Sequence, residues 1–444
     1  MRKRSCALSS LVGLLVAWSG IAHAGNPLPP DVSMRVGLAQ TWVYRWTAEQ
    51  YKMDLGTRDF IWSNDPGSLQ GGASKLWFPS QSFSGFYISV TRVPAKPRRY
   101  GPVTVLSACG GRDQGCPLSW FQANHPDWIV LKRDRATPAY QYNDPTWVPL
   151  DISNPEVQAW IEVNFVLPVL TAGYQGISID NVSVQNPFNE EGVCSVAIVS
   201  GNCASNGGTW KQLYSGERYN DRTFVDNRVA WLERLTRLAH SHNASTTANV
   251  TYDPRDKGGT ARLIGAVDIW YNEEGFNGSN PATCQIGGGG KYKIFDDGWT
   301  GKVNFIRSLH GKPMVQEAAI CPLVSPDRRV VEYAMASYYM TKSKRTYVAP
   351  YFDSQSAFED HSSGGTWPDF SYQHGRAVDP EPVVVNGVYK RAFAQLVALI
   401  NPSSTTSVTY DLGEPYRDFA GVRYTGRITL PPRTGRTLLP VGTR

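Results

Sequence analysis

The chain has 444 residues, 41% hydrophobic and 18% charged, with 41 Gly and 30 Pro; this excludes a disordered or fibrous polypeptide and allows one large domain with a smaller one. The formal charge of +6 is drawn in part from Arg2, Lys3 and Arg4, and no long Lys/Arg run follows, so nucleic acid is not an expected partner. Fourteen Trp and 22 Tyr supply a core and also rings able to stack on sugar faces.

Arg2 to Arg4 precede the short apolar run "LVGLLVAW" and the small residues "AHA" before Gly25. That order is a signal peptide over residues 1–24, and it implies a secreted or periplasmic mature protein. The run is too short to be a confident spanning helix. No other stretch is long and apolar enough, so no integral membrane segment is expected after cleavage. Setting Cys6 aside leaves six cysteines. Proximity pairs Cys109 with Cys116 and Cys194 with Cys203, and the remainder pairs Cys284 with Cys321. No His lies at zinc-ligand spacing from either close pair, there is no EF-hand-type loop, and no metal or cofactor is expected.

From about residue 58, short apolar runs alternate with helix-like segments. The strand candidates are "DFIWS" (59–63), "FYISV" (86–90) or "VTVLS" (103–107), "WVPLD" (147–151), "GISID" (176–180), "TTANV" (246–250), "VDIWYN" (267–272), "PMVQE" (313–317) and "YVAPYF" (347–352). Near-continuous Val/Ile/Tyr runs are what strands buried on both faces of a parallel sheet require. Between them, "SNPEVQAWIEVNFVLPVL" opens with Ser153 or Asn154 as cap and Pro155 in the first turn, a helix start. Val225, Val229, Leu232, Leu235 and Ala239 repeat at helical spacing within 221–240, and residues 327–345 form a third helix. Eight βα units predict a closed (β/α)8 barrel, with a doubly wound sheet as the structural rival. No Gly-rich phosphate fingerprint supports that rival. The barrel domain is expected over 25–377. Over 378–444, short strand-like runs broken by Pro, Gly and Ser/Thr predict a small all-β, sandwich-like domain.

In a barrel, functional groups sit at the C-terminal ends of strands. Asp151 ends "WVPLD" and Asp180 ends "GISID"; Asn249 lies in "TTANV", Glu273 and Glu274 follow "DIWYN", Gln316 and Glu317 end "PMVQE", and Asp353 follows "VAPYF". Two carboxylates flanking a glycosidic bond are the machinery of sugar hydrolysis, one ionised and one protonated. Asp180 with Glu273 is the strongest pair by position, with Glu274 as the alternative acid. Trp62, Trp147, Trp270 and Tyr271 are candidate stacking residues. Asn181, Asn249, Asp151, Gln316, Asp353 and His125 are candidate substrate contacts. Plainer readings compete. A strand-end Asp often caps the next helix, as Ser153 and Asn154 invite Asp151 to do. Asp268 precedes its strand, Glu317 could pair with a cation, and His125 could be structural. Serine-hydrolase and zincin signals are missing: there is no GxSxG and no HExxH.

At these residues the chain resembles the hypothetical glycosyl-hydrolase-like family, glycoside hydrolases with an α-amylase-like (β/α)8 barrel and a C-terminal β-sandwich. "NHPDWIVLKRD" (124–134), "VPLDISNPEVQAWI" (148–161), "GYQGISIDNV" (173–182) and "VDIWYNEEGF" (267–276) carry the resemblance. It implies Asp180 as nucleophile of a retaining enzyme and Glu273 as acid/base. Gln175 stands where the fourth-strand motif commonly has Asp, and the adjacent Glu274 leaves the acid unassigned between two neighbours. The expected activity is hydrolysis of a polysaccharide or glycoconjugate. A non-catalytic carbohydrate-binding barrel and a transglycosylase are the alternatives. Sugar, linkage and oligomeric state are not legible at this level.

Overall fold

A computed structural model of the chain describes residues 28–40, 59–61, 83–89, 92–94, 109, 116–140, 143, 145, 147–171, 175–273, 275–276, 298–319, 328–351, 368–370 and 372–442. The signal-peptide region, "VTVLS", Trp62, Glu274, Cys284, Cys321 and Asp353 lie outside the described residues.

Eight parallel strands close into a barrel. They are β1 (Gly37–Gln40), β2 (Phe60–Ile61), β3 (Phe83–Ser89) and β4 (Gly176–Val182), followed by β5 (Ser245–Val250), β6 (Ile269–Asn272), β7 (Met314–Ala319) and β8 (Thr346–Tyr351). Each pairs with its sequence neighbour, and β1 with β8 closes the ring. The helices are α1 (Leu118–Asn124), α2 (Pro155–Ile161), α3 (Leu167–Thr171), α4 (Arg222–Ser241), α5 (Lys257–Gly265), α6 (Gly298–Ser308) and α7 (Arg328–Thr341). Asn154, rather than Ser153, caps α2 by accepting from the Glu156 N–H at 2.9 Å. Asp221 caps α4 in the same way through Phe224.

The expected count of eight strands holds, but one member differs. "WVPLD" is not a barrel strand. Trp147–Pro149 pairs antiparallel with Arg92–Pro94, outside the ring. Pro149 has no N–H to give a central ladder, so a short two-stranded pair suits it better. Its continuous apolar run reflects burial in the apolar core outside the ring, with Trp147 and Val148 at 5% and 0% exposure. The strand that takes its place is β1, "GLAQ", which begins the barrel at Gly37 rather than near residue 58. Arg35 and Asp59 brace it with a two-pronged ion pair, and the Leu38 N–H donates to the same carboxylate at 3.0 Å.

Residues alternate between the barrel interior and the helices outside. Ala39, Ile269, Tyr271, Val315, Tyr347 and Ala349 pack inside, with Val32 among them. Ile177, Ile179, Ala248, Trp270 and Met314 join the outer core with Val225, Leu232 and Leu235 of α4.

The C-terminal region is a six-stranded sheet covered by the two-stranded pair Val408–Asp411 and Arg427–Leu430. Val388, Leu399, Leu412, Ile428, Leu430 and Leu438 fill the space between these layers, making the expected sandwich. Its last strand, Thr434–Pro440, lies against α7, in which every residue from Val330 to Thr341 is buried. A helix apolar on all sides is one packed on all sides. Arg391 of the sheet donates to the Tyr339 and Lys342 carbonyls, both at 2.9 Å, satisfying the C-terminal end of α7.

The closest approach is at Gly435, where a Cβ would stand 2.7 Å from the Tyr333 Cα and 2.8 Å from the Glu332 carbonyl. Backbone cannot yield as a flexible side chain can. Gly435→Val is therefore expected to lower stability by about 1–3 kcal/mol, read as a fall in Tm. Gly265→Ala, with open space around it, is the control and should leave Tm unchanged or raised.

Candidate active site

Four residues from adjacent strands meet at the C-terminal mouth. Asp180 stands on β4 at 5% exposure, Asn249 on β5 at 4% and Glu317 on β7 at 2%; Glu273 follows β6 directly and is half-buried. Asn249 ties two of them together. Its amide nitrogen donates to Asp180 Oδ1 at 2.8 Å and to Glu273 Oε2 at 2.6 Å. An amide nitrogen carries two hydrogens, so the NH2 turned toward both can donate to each. One nitrogen holding two oxygens at these lengths keeps them no more than about 5.4 Å apart.

A bulge sets the angle of Asp180. On β4, Ile179 pairs with Ala248 and Val182 with Val250, so Asp180 and Asn181 together face Asn249 alone. Two residues against one turn the strand locally and re-aim its side chains. Asn181 takes the left-handed conformation this needs, at φ 60°, which Asn tolerates better than most residues. Its amide then donates to Asp180 Oδ2. Both oxygens of Asp180 are thus held by neighbouring amides, which offsets the cost of its burial.

Glu273 sits on a turn clamped from behind. The Gly275 N–H closes it onto the Asn272 carbonyl at 3.1 Å. Gly275 has φ 46°, and a Cβ there would fall 1.8 Å from the Glu317 carbonyl, so only glycine fits. Its own carbonyl accepts from Lys302 Nζ of α6 at 2.5 Å, and that lysine is fully buried. Phe276 follows, packed near Trp299. On the adjoining strand, the Tyr271 hydroxyl donates to Glu317 Oε1 at 2.6 Å.

The other sequence candidates are placed as follows. Trp270 faces the helices, with its indole N–H on the Val250 carbonyl at 2.9 Å and its ring against Phe305. Gln316 also points outward, toward Thr341 of α7. Neither is brought to the mouth, because on each strand the alternate residue, Tyr271 or Glu317, takes the inner face. Asp151 follows the outlying Trp147–Pro149 strand rather than ending a barrel strand, and its carboxylate accepts from Ser153 N and Oγ at 2.9 and 2.6 Å. His125 ends α1 stacked on Trp128 at 3.8 Å. Asp268 lies at the opposite end of the barrel, bonded to His240 and to the Thr246 N–H. Sequence reasoning missed Lys302 and Gly275, whose roles depend on the chain returning to β7. It also missed Asp253, Arg255 and Tyr219, although "DPR" directly after a strand end was a signal.

The segment leaving β4 carries its own pair, Gly192–Cys194 with Trp210–Gln212, stapled by Cys194–Cys203; Cys109–Cys116 is likewise formed. Both close pairings therefore follow the proximity expectation. No helix among the described residues is long and apolar enough to cross a membrane.

No protein-family model and no curated protein matches the chain. Among solved structures it is similar to Amy13B of Eubacterium rectale, at 9% identity over 93% of this chain and 97% of that one, TM-score 0.48. It is also similar to a GH27 β-L-arabinopyranosidase from Geobacillus stearothermophilus in complex with arabinose, at 10% identity over 93% and 98%, TM-score 0.47. A third is a maltogenic α-amylase of Thermotoga neapolitana, at 11% identity over 91% and 99%, TM-score 0.44. At these identities and scores the likenesses say nothing of chemistry, which rests on the side chains above.

Within the segment after β4, Glu191 is 5% exposed, and burial pushes its carboxyl up to about 7 despite the opposing charge of Arg228. Between its ordinary 4.5 and about 7 the folded chain keeps a proton that the unfolded chain releases. Stability therefore falls as pH rises through that window. Glu191→Gln is expected to remove this fall, measured as urea midpoints against pH; parallel curves for the two proteins would contradict it.

Proposed function

We propose that this chain is an exported glycoside hydrolase that cleaves a polysaccharide or glycoconjugate with retention of configuration. One observation carries the reading: Asn249 donates to Asp180 and Glu273 at once. An oxygen separation of at most about 5.4 Å matches the ~5–5.5 Å of retaining pairs and falls short of the ~6.5–9.5 Å that an inverting pair needs for its water. The basic and apolar N-terminus and the two disulfides support export.

In this mechanism Asp180, oriented by Asn181 and Asn249, attacks the anomeric carbon while Glu273 gives its proton to the leaving oxygen. The bond from sugar to leaving group breaks as the bond to Asp180 forms. Glu273, now ionised, takes a proton from water, which attacks the same carbon and frees Asp180. Asp180 is buried and fixed, as an attacking group should be. Glu273 is half-exposed on its turn, where a leaving sugar and then water can reach it. Tyr271, on the strand that leads into Glu273, and Glu317, on the next strand, are candidates to bind hydroxyls.

The test is reducing-end release by the mature protein over a polysaccharide panel. Asp180→Asn is expected to abolish release. Glu273→Gln should lower kcat by about 10²–10⁴-fold. Asn249→Ala should lower kcat by about 10²–10³-fold, with KM little changed. Proton NMR of the first product should show the anomer of the substrate. The inverted anomer would exclude Asp180 as nucleophile. Polysaccharide binding without release by the wild type would favour a carbohydrate-binding barrel instead.

A further inference from the structure

On the same side of the barrel as the carboxylate pair, the segments leaving β4 and β5 hold two arginines around one tyrosine. Asp253 lies four residues beyond Asn249, so its Cα is within about 14 Å of that residue's. It is 1% exposed and accepts Arg255 Nε at 2.8 Å, Arg255 Nη2 at 2.7 Å, the Arg255 N–H at 3.0 Å and Gln185 Nε2 at 2.9 Å. The Tyr219 ring lies 3.6 Å from the same guanidinium and 5.4 Å from that of Arg218. Arg218 also reaches Gln185 Oε1, at 3.4 Å. Gln185 is five residues past Asp180, so the whole group is tied to the two strands that carry the candidate chemistry.

Two features distinguish this group from a loop fastening alone. A guanidinium has two edges able to grip a carboxylate. Asp253 occupies the edge made by Nε and Nη2 and Tyr219 adds a side-chain hydrogen bond, yet the Arg255 side chain is still 51% exposed. Arg218 is exposed, and among the described residues it has no carboxylate within ion-pair distance. Two cations thus flank one ring, only Arg255 of them paired with a buried carboxylate, and their central carbons are no more than about 9 Å apart. Like charges so placed repel, and an anion between them relieves the repulsion.

We propose that Arg255 and Arg218 form a subsite for an anionic group, a carboxylate or a sulfate, on a sugar chain bound across Asp180 and Glu273. The substrate class is then an acidic polysaccharide; this rests on the glycoside-hydrolase reading. Arg255 supplies a fixed fork, held by Asp253 and Tyr219 before any ligand arrives, and Arg218 supplies an exposed second charge.

The experiment measures binding without turnover, using the full chain with Asp180→Asn. The probes are two matched pairs: polygalacturonate with its methyl ester, and dextran sulfate with dextran. The anionic member of at least one pair should bind about tenfold or more tighter than its neutral partner, and the pair that does so tells carboxylate from sulfate. Arg255→Gln should erase the preference. Arg255→Lys should restore part of it, since charge remains but the fork is lost. Arg218→Gln, at an exposed position, should weaken it without a change in Tm. Equal binding within both pairs, no binding to either anionic glycan, or a preference untouched by Arg255→Gln would overturn the proposal. Failure of the hydrolase reading looks different: wild-type protein that binds the anionic glycan through Arg255 yet releases no reducing ends.

Discussion

The site depends on an amide nitrogen with a hydrogen for each of two carboxylates. Asn249 Nδ2 reaches Asp180 on β4 and Glu273 after β6 at 2.8 and 2.6 Å. A positive side chain in its place would neutralise the pair as well as hold it. A hydroxyl would have only one hydrogen to give. A neutral double donor holds both groups close without fixing the charge of either.

Much of the surrounding fold keeps that geometry from relaxing. The bulge at Asp180–Asn181 needs a left-handed residue inside a buried strand, and Asn181 supplies it while also bonding Asp180. On the other side, Gly275 is pressed against the Glu317 carbonyl and bonded to the Lys302 ammonium. A fully buried lysine is costly unless its charge is well satisfied. Here it anchors the turn that presents Glu273. The support of Glu273 thus runs from α6 through the β6 turn to β7, and a change in that packing acts on Glu273 without touching a substrate.

The C-terminal sandwich belongs to the same mechanical unit. It covers the far side of α7, closes that helix's carbonyl end with Arg391, and adds the Arg436–Glu332 ion pair at a residue 2% exposed. Strand β8 follows α7 directly and closes the barrel against β1. Removing the sandwich would therefore expose one face of α7 and loosen the element that precedes ring closure.

The sequence by itself determined the barrel, the sandwich, the two close disulfides and the neighbourhood of Asp180 and Glu273. Each depends on local signals: continuous Val/Ile runs, a capped helix start, cysteines a few residues apart, acidic groups at strand ends. It misread "WVPLD", because a run buried outside the ring looks the same as one buried in it, and it passed over "GLAQ", which is too short to show a pattern. Which face of a strand looks inward was beyond it for Trp270 and Gln316, since in a strand buried on both sides hydrophobicity does not mark the inner face. The contact of Asn249 with both carboxylates, the fit of Gly275 on Glu317 and the burial of Lys302 join residues 24, 42 and 27 or more positions apart. Only the side-by-side pairing of β4 to β7 and the packing of α6 against them bring such residues within bonding distance, and so the tertiary structure decided them.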